Sequence, residues 1–424
     1  MMILNSGAHR VVILLCTGLS LYGGIATAEI KDSRKPATCE QSLSLEGFRA
    51  SALSQSPLVA EIDRNYAKEL ASAFDTEVLI NPELQAEQTF TRMNVRGDND
   101  PQAQVSIGQT IRLSNFGSRE RVAALIRRSG DRQKRAQILE LTQKLLVQFR
   151  TLYVLQETEK ILANAEQRAA KKVLLIGAGV KKGLLSQGDE KLFDGERYRL
   201  QAQRKGAAAT IATLQSELAR STGSPCSILT TGQELLTELP SEELLLQKAR
   251  SSDLSESTRV DLLVNLAREE MRLSELDAYP QITPRLVYQH TNDGGDFFGA
   301  GLSMPLPFWN RNQGQQIRSR AEQRFVEAKS TFLSNGGLEV QIKNLRRAAE
   351  SSKEQSEIFS LKVIPSFEAA LRSQEKLYAE GKGNVLQVWQ TLRTFNEVQT
   401  QGLQLWLEAV SVRVQLSLLV GEEV

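Results

Sequence analysis

The stretch that decides the fold is Tyr378–Gly421, YAEGKGNVLQVWQTLRTFNEVQTQGLQLWLEAVSVRVQLSLLVG. It reads as a glycine-broken turn, a polar cap at Asn384 and a long amphipathic helix that stops at Gly421. The chain holds a second copy, Gly183–Gly223, GLLSQGDEKLFDGERYRLQAQRKGAAATIATLQSELARSTG. Gly381 and Gly183 stand 198 residues apart, as do Gly421 and Gly223, Asn384 and Ser186, Leu416 and Leu218, and, upstream, Pro280 and Pro82. One offset shared by turns, caps and helix stops marks a duplicated unit of about half the chain.

Working outward from the two turns, the first long helix runs from Phe116 to about Ile176. It has no proline and only two glycines, Gly117 and Gly130. Leu145, Phe149, Leu152, Leu155, Leu162, Ala165, Ala169, Val173 and Ile176 recur at helical spacing. A helix of about 60 residues is about 90 Å long and needs a partner helix along its length. Gly177–Ser186 turns the chain, and the helix ending at Gly223 returns. The second copy repeats this from Gln315 to about Tyr378, weakened near Gly336-Gly337 and Pro365, with its turn at Glu380–Asn384.

Each long helix is preceded by a strand, a loop and a strand. In the first copy these are Glu83–Arg92, the polar loop Met93–Pro101 and Gln102–Leu113; in the second, Gln281–His290, the turn Thr291–Asp296 and Phe297–Pro307. Helices Ser42–Asp75, broken at Pro57, and Ser257–Asp277 precede them. Glu29–Gln41 is a polar arm without periodicity, and Ser224–Ser257 is a junction holding a short helix, Glu242–Ala249. The organisation is thus a leader at 1–28, a first repeat at 29–223, a junction at 224–256 and a second repeat at 257–424. The fold class is mainly α, with long antiparallel hairpins and four strands per chain. Four strands cannot close a barrel, since even small barrels have about eight. Open edges are not tolerated between lipids, so strands that enter a membrane must be pooled by several chains.

Composition narrows the function. The 52 basic and 50 acidic residues nearly cancel, which leaves no charge argument for a nucleic-acid partner. The apolar run Val11–Tyr22 is too short to span a bilayer, and Ala26-Thr27-Ala28 is a cleavage signal, so the mature chain is expected to begin at Glu29. Cys39 and Cys226 then remain, in an export route that permits disulfides. They form one bridge or stay as two separate thiols. His290 is the one histidine left, which argues against a histidine metal site or a histidine-dependent triad. No catalytic constellation, metal site or cofactor motif is found, so an enzyme is not expected.

In its duplicated order the chain resembles the TolC-type outer membrane efflux proteins. Asn81-Pro82-Glu83-Leu84 resembles the point where that family's helix gives way to strand. Gly108-Gln109-Thr110-Ile111-Arg112-Leu113 and Gly301-Leu302-Ser303-Met304-Pro305-Leu306-Pro307 resemble its two strand exits, and the stretches from Gly183 and Gly381 resemble its hairpin ends. The modest length and the Asn-Pro-Glu-Leu stretch are most similar to the heavy-metal-efflux (CzcC-like) branch. The resemblance implies a homotrimer in the outer membrane, whose twelve pooled strands form a transmembrane β-barrel and whose twelve helices form a periplasmic α-barrel. It implies a periplasmic adaptor protein at the tips and an inner-membrane pump that supplies energy, with passive export through the duct. Drug efflux and type I secretion ducts share this description. Two other classes compete: a periplasmic adaptor, which normally has one hairpin rather than two, and a soluble helical scaffold, which needs no strand pairs.

The resemblance places adaptor docking at Gly183, Leu184, Ser186, Gly381 and Asn384; the alternative is that they only turn the chain. Asp189 and Asp194 could ring the mouth and favour cations, or lie on a solvated helix face. Phe116, Phe308 and Trp309 follow the strand exits and fit an aromatic girdle in contact with outer membrane lipid, or simple packing at the junction.

Overall fold

The computed structural model describes residues 40–90, 101–115, 117–183, 185–223, 227–230, 236–291 and 295–422. All of them belong to one compact unit, Cys39–Val424. The leader lies outside the described residues.

Small polar residues set the helix starts. Ser44 caps α1 (Leu45–Gln55), its hydroxyl accepting from Gly47 N at 3.2 Å. Ser56 caps α2 (Pro57–Glu77), where Pro57 takes the first turn and its missing N–H has no partner to lose. The break expected at Pro57 is therefore a clean restart. Then β2 (Glu83–Phe90) and β3 (Pro101–Gly108) form a hairpin, following the short strand β1 (Glu40–Leu43) that opens the described chain.

The first long helix, α3, spans Ser118–Lys181: 64 residues, about 96 Å at 1.5 Å per residue. It returns through α4 (Gln187–Thr222). After β4 (Ser227–Thr230), α5 (Glu242–Ser251) and α6 (Glu256–Leu276) lead to β5 (Thr283–His290) and β6 (Asp296–Ser303). The second long arm is α7 (Gln313–Phe332), α8 (Leu338–Ile358) and α9 (Ile364–Ala379), and α10 (Val385–Val420) returns.

That second arm is interrupted by two π-helical turns, Leu333–Gly337 and Phe359–Val363. They fall where the sequence weakens the helix. Gly336 adopts φ 89°, and Pro365 has no N–H to continue the ladder. The duplication is visible in the backbone. Gly183 and Gly381 turn the tips at φ 72° and 73°, and Gly223 and Gly421 stop the return helices at φ 71° and 79°.

The core is a string of apolar clusters along the hairpins. Phe48, Phe149, Leu152 and Leu218 join α1 to the first hairpin. Val260, Val326, Ile342 and Leu416 join α6 to the second. α10 is long and apolar enough by composition to cross a membrane. Its buried side chains instead face other helices: Leu392 and Phe395 meet Leu371 of α9, and Trp406 and Val410 meet Val154 of α3.

Two sheets are present among the described residues. The larger has the order β2–β3–β5–β6, all antiparallel, and the β3–β5 ladder pairs the two repeats. The smaller is a parallel pair, β1 with β4. Two expectations are corrected here. The arm and the junction, read as irregular, each contribute a four-residue strand. The four principal strands each hold eight residues rather than about ten.

Candidate functional site

The β2–β3–β5–β6 sheet sorts its side chains by face. Successive residues of a strand point to opposite faces, and register partners share one. Leu84, Ile107, Leu286 and Ala300 share one face, as do the next partners up the strands, Ala86, Val105, Tyr288 and Phe298. The opposite face carries Gln85, Ser106, Val287 and Gly299, then Glu87, Gln104, Gln289 and Phe297. Over these rungs one face is apolar and the other mainly polar; at its loop end the apolar face closes on the rung Gln88, Ala103, His290 and Asp296. On β5 the apolar face is the exposed one: Leu286 and Tyr288 are open while Arg285, Val287 and Gln289 are half-buried. A water-soluble sheet buries its apolar face, so this pattern is inverted.

The outer sides of β2 and β6 pair with nothing among the described residues. Every residue of β6 is exposed. Charge concentrates at the helical end of the polar face, where Arg285 donates to Gln85 Oε1 at 3.2 Å and lies 3.8 Å from the Glu83 carboxylate. At the loop end of the other face Tyr288 OH donates to Asp296 Oδ1 at 2.8 Å, and His290 Nδ1 is 2.8 Å from the same oxygen.

The sheet is bolted to the helices below it. Gln109 donates to the Ile80 carbonyl at 2.7 Å, and Ile111 bridges to Ile282 beyond the ladder. Arg119 grips both oxygens of Asp277 at 2.7 and 2.8 Å, and buried Asn115 donates to the same carboxylate. This clamp joins α3 of the first repeat to the end of α6 in the second. Phe308 and Trp309 sit just past the strands, their rings 6.0 Å apart and edge-to-face. Trp309 is 90% exposed, so packing within the chain does not account for its position. Phe116 lies outside the described residues.

At the opposite end the tips of both hairpins meet. Ile176 and Phe193 of the first hairpin pack with Val385 of the second, flanked by Leu185, Tyr378 and Trp389. Lys172 Nζ lies 3.6 Å from Glu375 and sits over the Tyr378 ring at 5.5 Å. Burial, and then the Asp189 carboxylate, push the Tyr378 phenol upward from its ordinary range. Sequence reading missed this cross-hairpin set, because its members are far apart in the chain.

The expected tip residues have clear local roles. Gly183 and Gly381 have open space where a side chain would begin, so their left-handed φ alone requires glycine. Gly383, passed over in the sequence, is crowded by backbone: a Cβ there would stand 2.7 Å from Tyr378 N. Ser186 and Asn384 cap the return helices; Asn384 Oδ1 accepts from Leu386 N at 2.8 Å. Leu184 lies outside the described residues, as do Cys39 and Cys226.

The two acidic candidates are already engaged. Asp189 accepts from the Ser186 backbone and hydroxyl in a capping box. Asp194 pairs with Arg197 at 2.8 Å. Among the described residues no group of three or more His, Cys, Asp or Glu side chains could hold a metal ion.

No family model and no curated protein matches the chain. Solved structures do. The outer membrane protein VceC of Vibrio cholerae superposes with a TM-score of 0.68 at 16% identity, covering 89% of this chain and 96% of its own. CusC, described for transmembrane channel formation, gives 0.72 at 13% identity over 89% and 92%. The CmeC outer membrane channel of Campylobacter jejuni gives 0.72 at 12% identity over 89% and 85%. The chain therefore has, over most of its length, the fold of these outer membrane channel proteins.

Proposed function

We propose that the chain is one protomer of a TolC-type exit duct in the outer membrane of a Gram-negative bacterium, reaching down into the periplasm. The observation that carries this is the sheet: an exposed apolar face, a mainly polar opposite face and two edges that are unpaired among the described residues. In water such a sheet is a liability; in a bilayer it is one third of a barrel. Three copies would place β6 of one chain beside β2 of the next and close twelve strands. The apolar face would meet lipid and the polar face would line the channel, with Phe308 and Trp309 at the periplasmic interface. The hairpins would form the periplasmic tube.

The tips then face an adaptor. Gly183, Ser186, Gly381 and Asn384 lie at two compact turns, which suits a groove for another helical hairpin; Leu184, outside the described residues, joins the docking set by resemblance alone. Export is passive, with energy from an inner-membrane pump. The cargo we propose is heavy-metal cations, which rests on the resemblance around Asn81–Leu84. Asp189 and Asp194 are satisfied within the tip, which favours their structural role over a cation filter.

Cell fractionation with planar-bilayer recording tests the duct. Recovery in outer membranes and ion conductance by the purified protein are expected. Recovery in the soluble periplasm, without conductance, would return the adaptor or scaffold reading. A deletion strain separates cargoes: sensitivity to metal salts supports the proposal, and sensitivity to drugs alone overturns that part.

A further inference from the structure

We infer that the seam between neighbouring copies repeats the seam between the two repeats of one chain: β6 of one copy pairs with β2 of the next in a single register, and α7 lies along α2 beneath them. On the duct reading proposed above, these are the residues that join its copies. Inside the chain the seam is the β3–β5 ladder, with Gly108 opposite Arg285. The duplication carries that ladder outward. Gly117 and Asn312 cap α3 and α7, both in the left-handed region, and stand 195 residues apart, as do the strand ends Gly108 and Ser303. The strand starts Glu83 and Thr283 stand 200 apart. β3 therefore maps onto β6, and β5 maps back onto β2 of the next copy. The rung Gly108–Arg285 becomes Ser303–Gln85, and Ile107–Leu286 becomes Leu302–Ala86.

The faces agree across this register. Leu302 and Ala86 both belong to the apolar face, and Gly301 meets Glu87 on the opposite one. A slip of one residue would set apolar against polar along the whole edge. The turn into the helix is repeated too. Buried Asn115 donates to Asp277 on the inner seam. The counterparts are Asn310, which is exposed, and Glu77, which closes α2. Asn310 of one copy donates to Glu77 of the next.

Below the strands, each flank carries an uncovered stripe. Ile317, Ala321, Phe325, Ala328 and Phe332 recur at helical steps on α7, all exposed. Ala67, Ala71, Phe74 and, at the helix cap, Val78 do the same on α2. Other residues face into the chain: Ala73 is buried on α2, Ser319 and Val326 on α7. An apolar stripe at this spacing is the seam of a helix pair. Charge selects the pair. α2 carries five acidic and two basic residues, α7 four basic and two acidic. Arg318, Arg320 and Arg324 of α7 and Asp75 of α2 are exposed and form no ion pair among the described residues. Either helix against its own copy sets like charges together, whereas α7 against α2 pairs opposite ones. A contact between two different faces builds a ring when the rotation closes, as the pooled sheet requires.

The test is disulfide formation by copper-phenanthroline in outer membranes, in a C39S/C226S background. Gln85→Cys/Ser303→Cys puts its cysteines on the two outer edges of one sheet, three strand spacings or about 14 Å apart. A bond between them therefore joins two copies. Gln109 N donates to Pro284 O at 3.1 Å, so the neighbouring rung Gly108–Arg285 is a non-hydrogen-bonded pair. Its outer counterpart brings the two Cα atoms to about 4.5 Å, within disulfide reach. A covalent trimer on a non-reducing gel is expected, lost on reduction. Gln85→Cys/Gly299→Cys, four residues out of register, is expected to give none. Equal linkage in both, or none in either while the detergent-extracted particle still holds three chains, overturns the seam and leaves the duct reading standing. A parent protein that is a single chain in detergent sinks the duct reading and the seam with it. Phe325→Asp tests the helices apart from the strands. Phe325 is 65% exposed in the single chain, so helix content should hold while the trimer dissociates at a lower temperature. Unchanged dissociation overturns the pairing of α7 with α2.

Discussion

Val105 and Gln104 are adjacent on β3, yet the register puts them on opposite faces: Val105 beside Ala86 and Tyr288, Gln104 beside Glu87 and Gln289. Replacing each in turn by arginine therefore separates face from strand. Val105 lies mid-strand and is 42% exposed, so Val105→Arg needs no room in a core. In water it should be nearly neutral. On the lipid face of a barrel, arginine near the midplane costs about 2–4 kcal/mol. A closed trimer carries three copies, so the cost is about 6–12 kcal/mol per barrel, enough to shift assembly by more than about ten-thousandfold. Gln104→Arg places the same group in an aqueous lumen, where the penalty is near zero. The assay is the yield of SDS-resistant oligomer from outer membranes, compared at equal expression. Val105→Arg should abolish it while Gln104→Arg retains it. Equal yields would refute the assignment of lipid and lumen faces.

Three further outcomes follow from local geometry. Gly421→Ala should lower the melting temperature sharply, because a Cβ there stands 2.3 Å from Ser255 N at φ 79°; Gly381→Ala, with open space around it, should show only the left-handed strain of about 1–2 kcal/mol, and calorimetry separates them. Lys172→Gln removes the link to Glu375 and Tyr378 between the hairpins, so single-channel conductance should rise as the tips loosen, and unchanged conductance would deny the link a closing role. Burial, with the nearby Glu322 charge, raises the Glu270 carboxyl. Its folded value lies above the unfolded one, so its contribution is full at low pH and is lost as pH rises through the raised value. Glu270→Gln should be more stable than the parent at neutral pH, with the gain vanishing below about pH 4, as thermal unfolding at both pH values would report.

The large features were legible in the sequence because they are local or repeated. The tip glycines, the caps Ser186 and Asn384 and the helix stops at Gly223 and Gly421 recur at one offset, and the backbone repeats them, with φ 72° and 73° at the tips and 71° and 79° at the stops. The alternation in Glu83–Arg92 and Gln102–Leu113 marked two strands, because a half-exposed sheet has period two. What escaped was non-local. β1 and β4 are four residues each, do not alternate, and find each other across the whole first hairpin. Lys172 and Tyr378 meet only because two hairpins lie side by side. Asp189 and Asp194 were read by charge alone, and the capping box and one-turn ion pair that engage them are not visible in charge. The π turns were half-visible: Gly336-Gly337 and Pro365 marked the places, but not the extra residue each turn holds.

The central claim is that this chain closes its sheet by pooling strands with copies of itself. The most direct measurement is the mass of the protein extracted in detergent from outer membranes, corrected for bound detergent. Three chains per particle are expected. A monodisperse single chain, or recovery only in the soluble periplasm, would leave the edges of β2 and β6 unpaired and would contradict it.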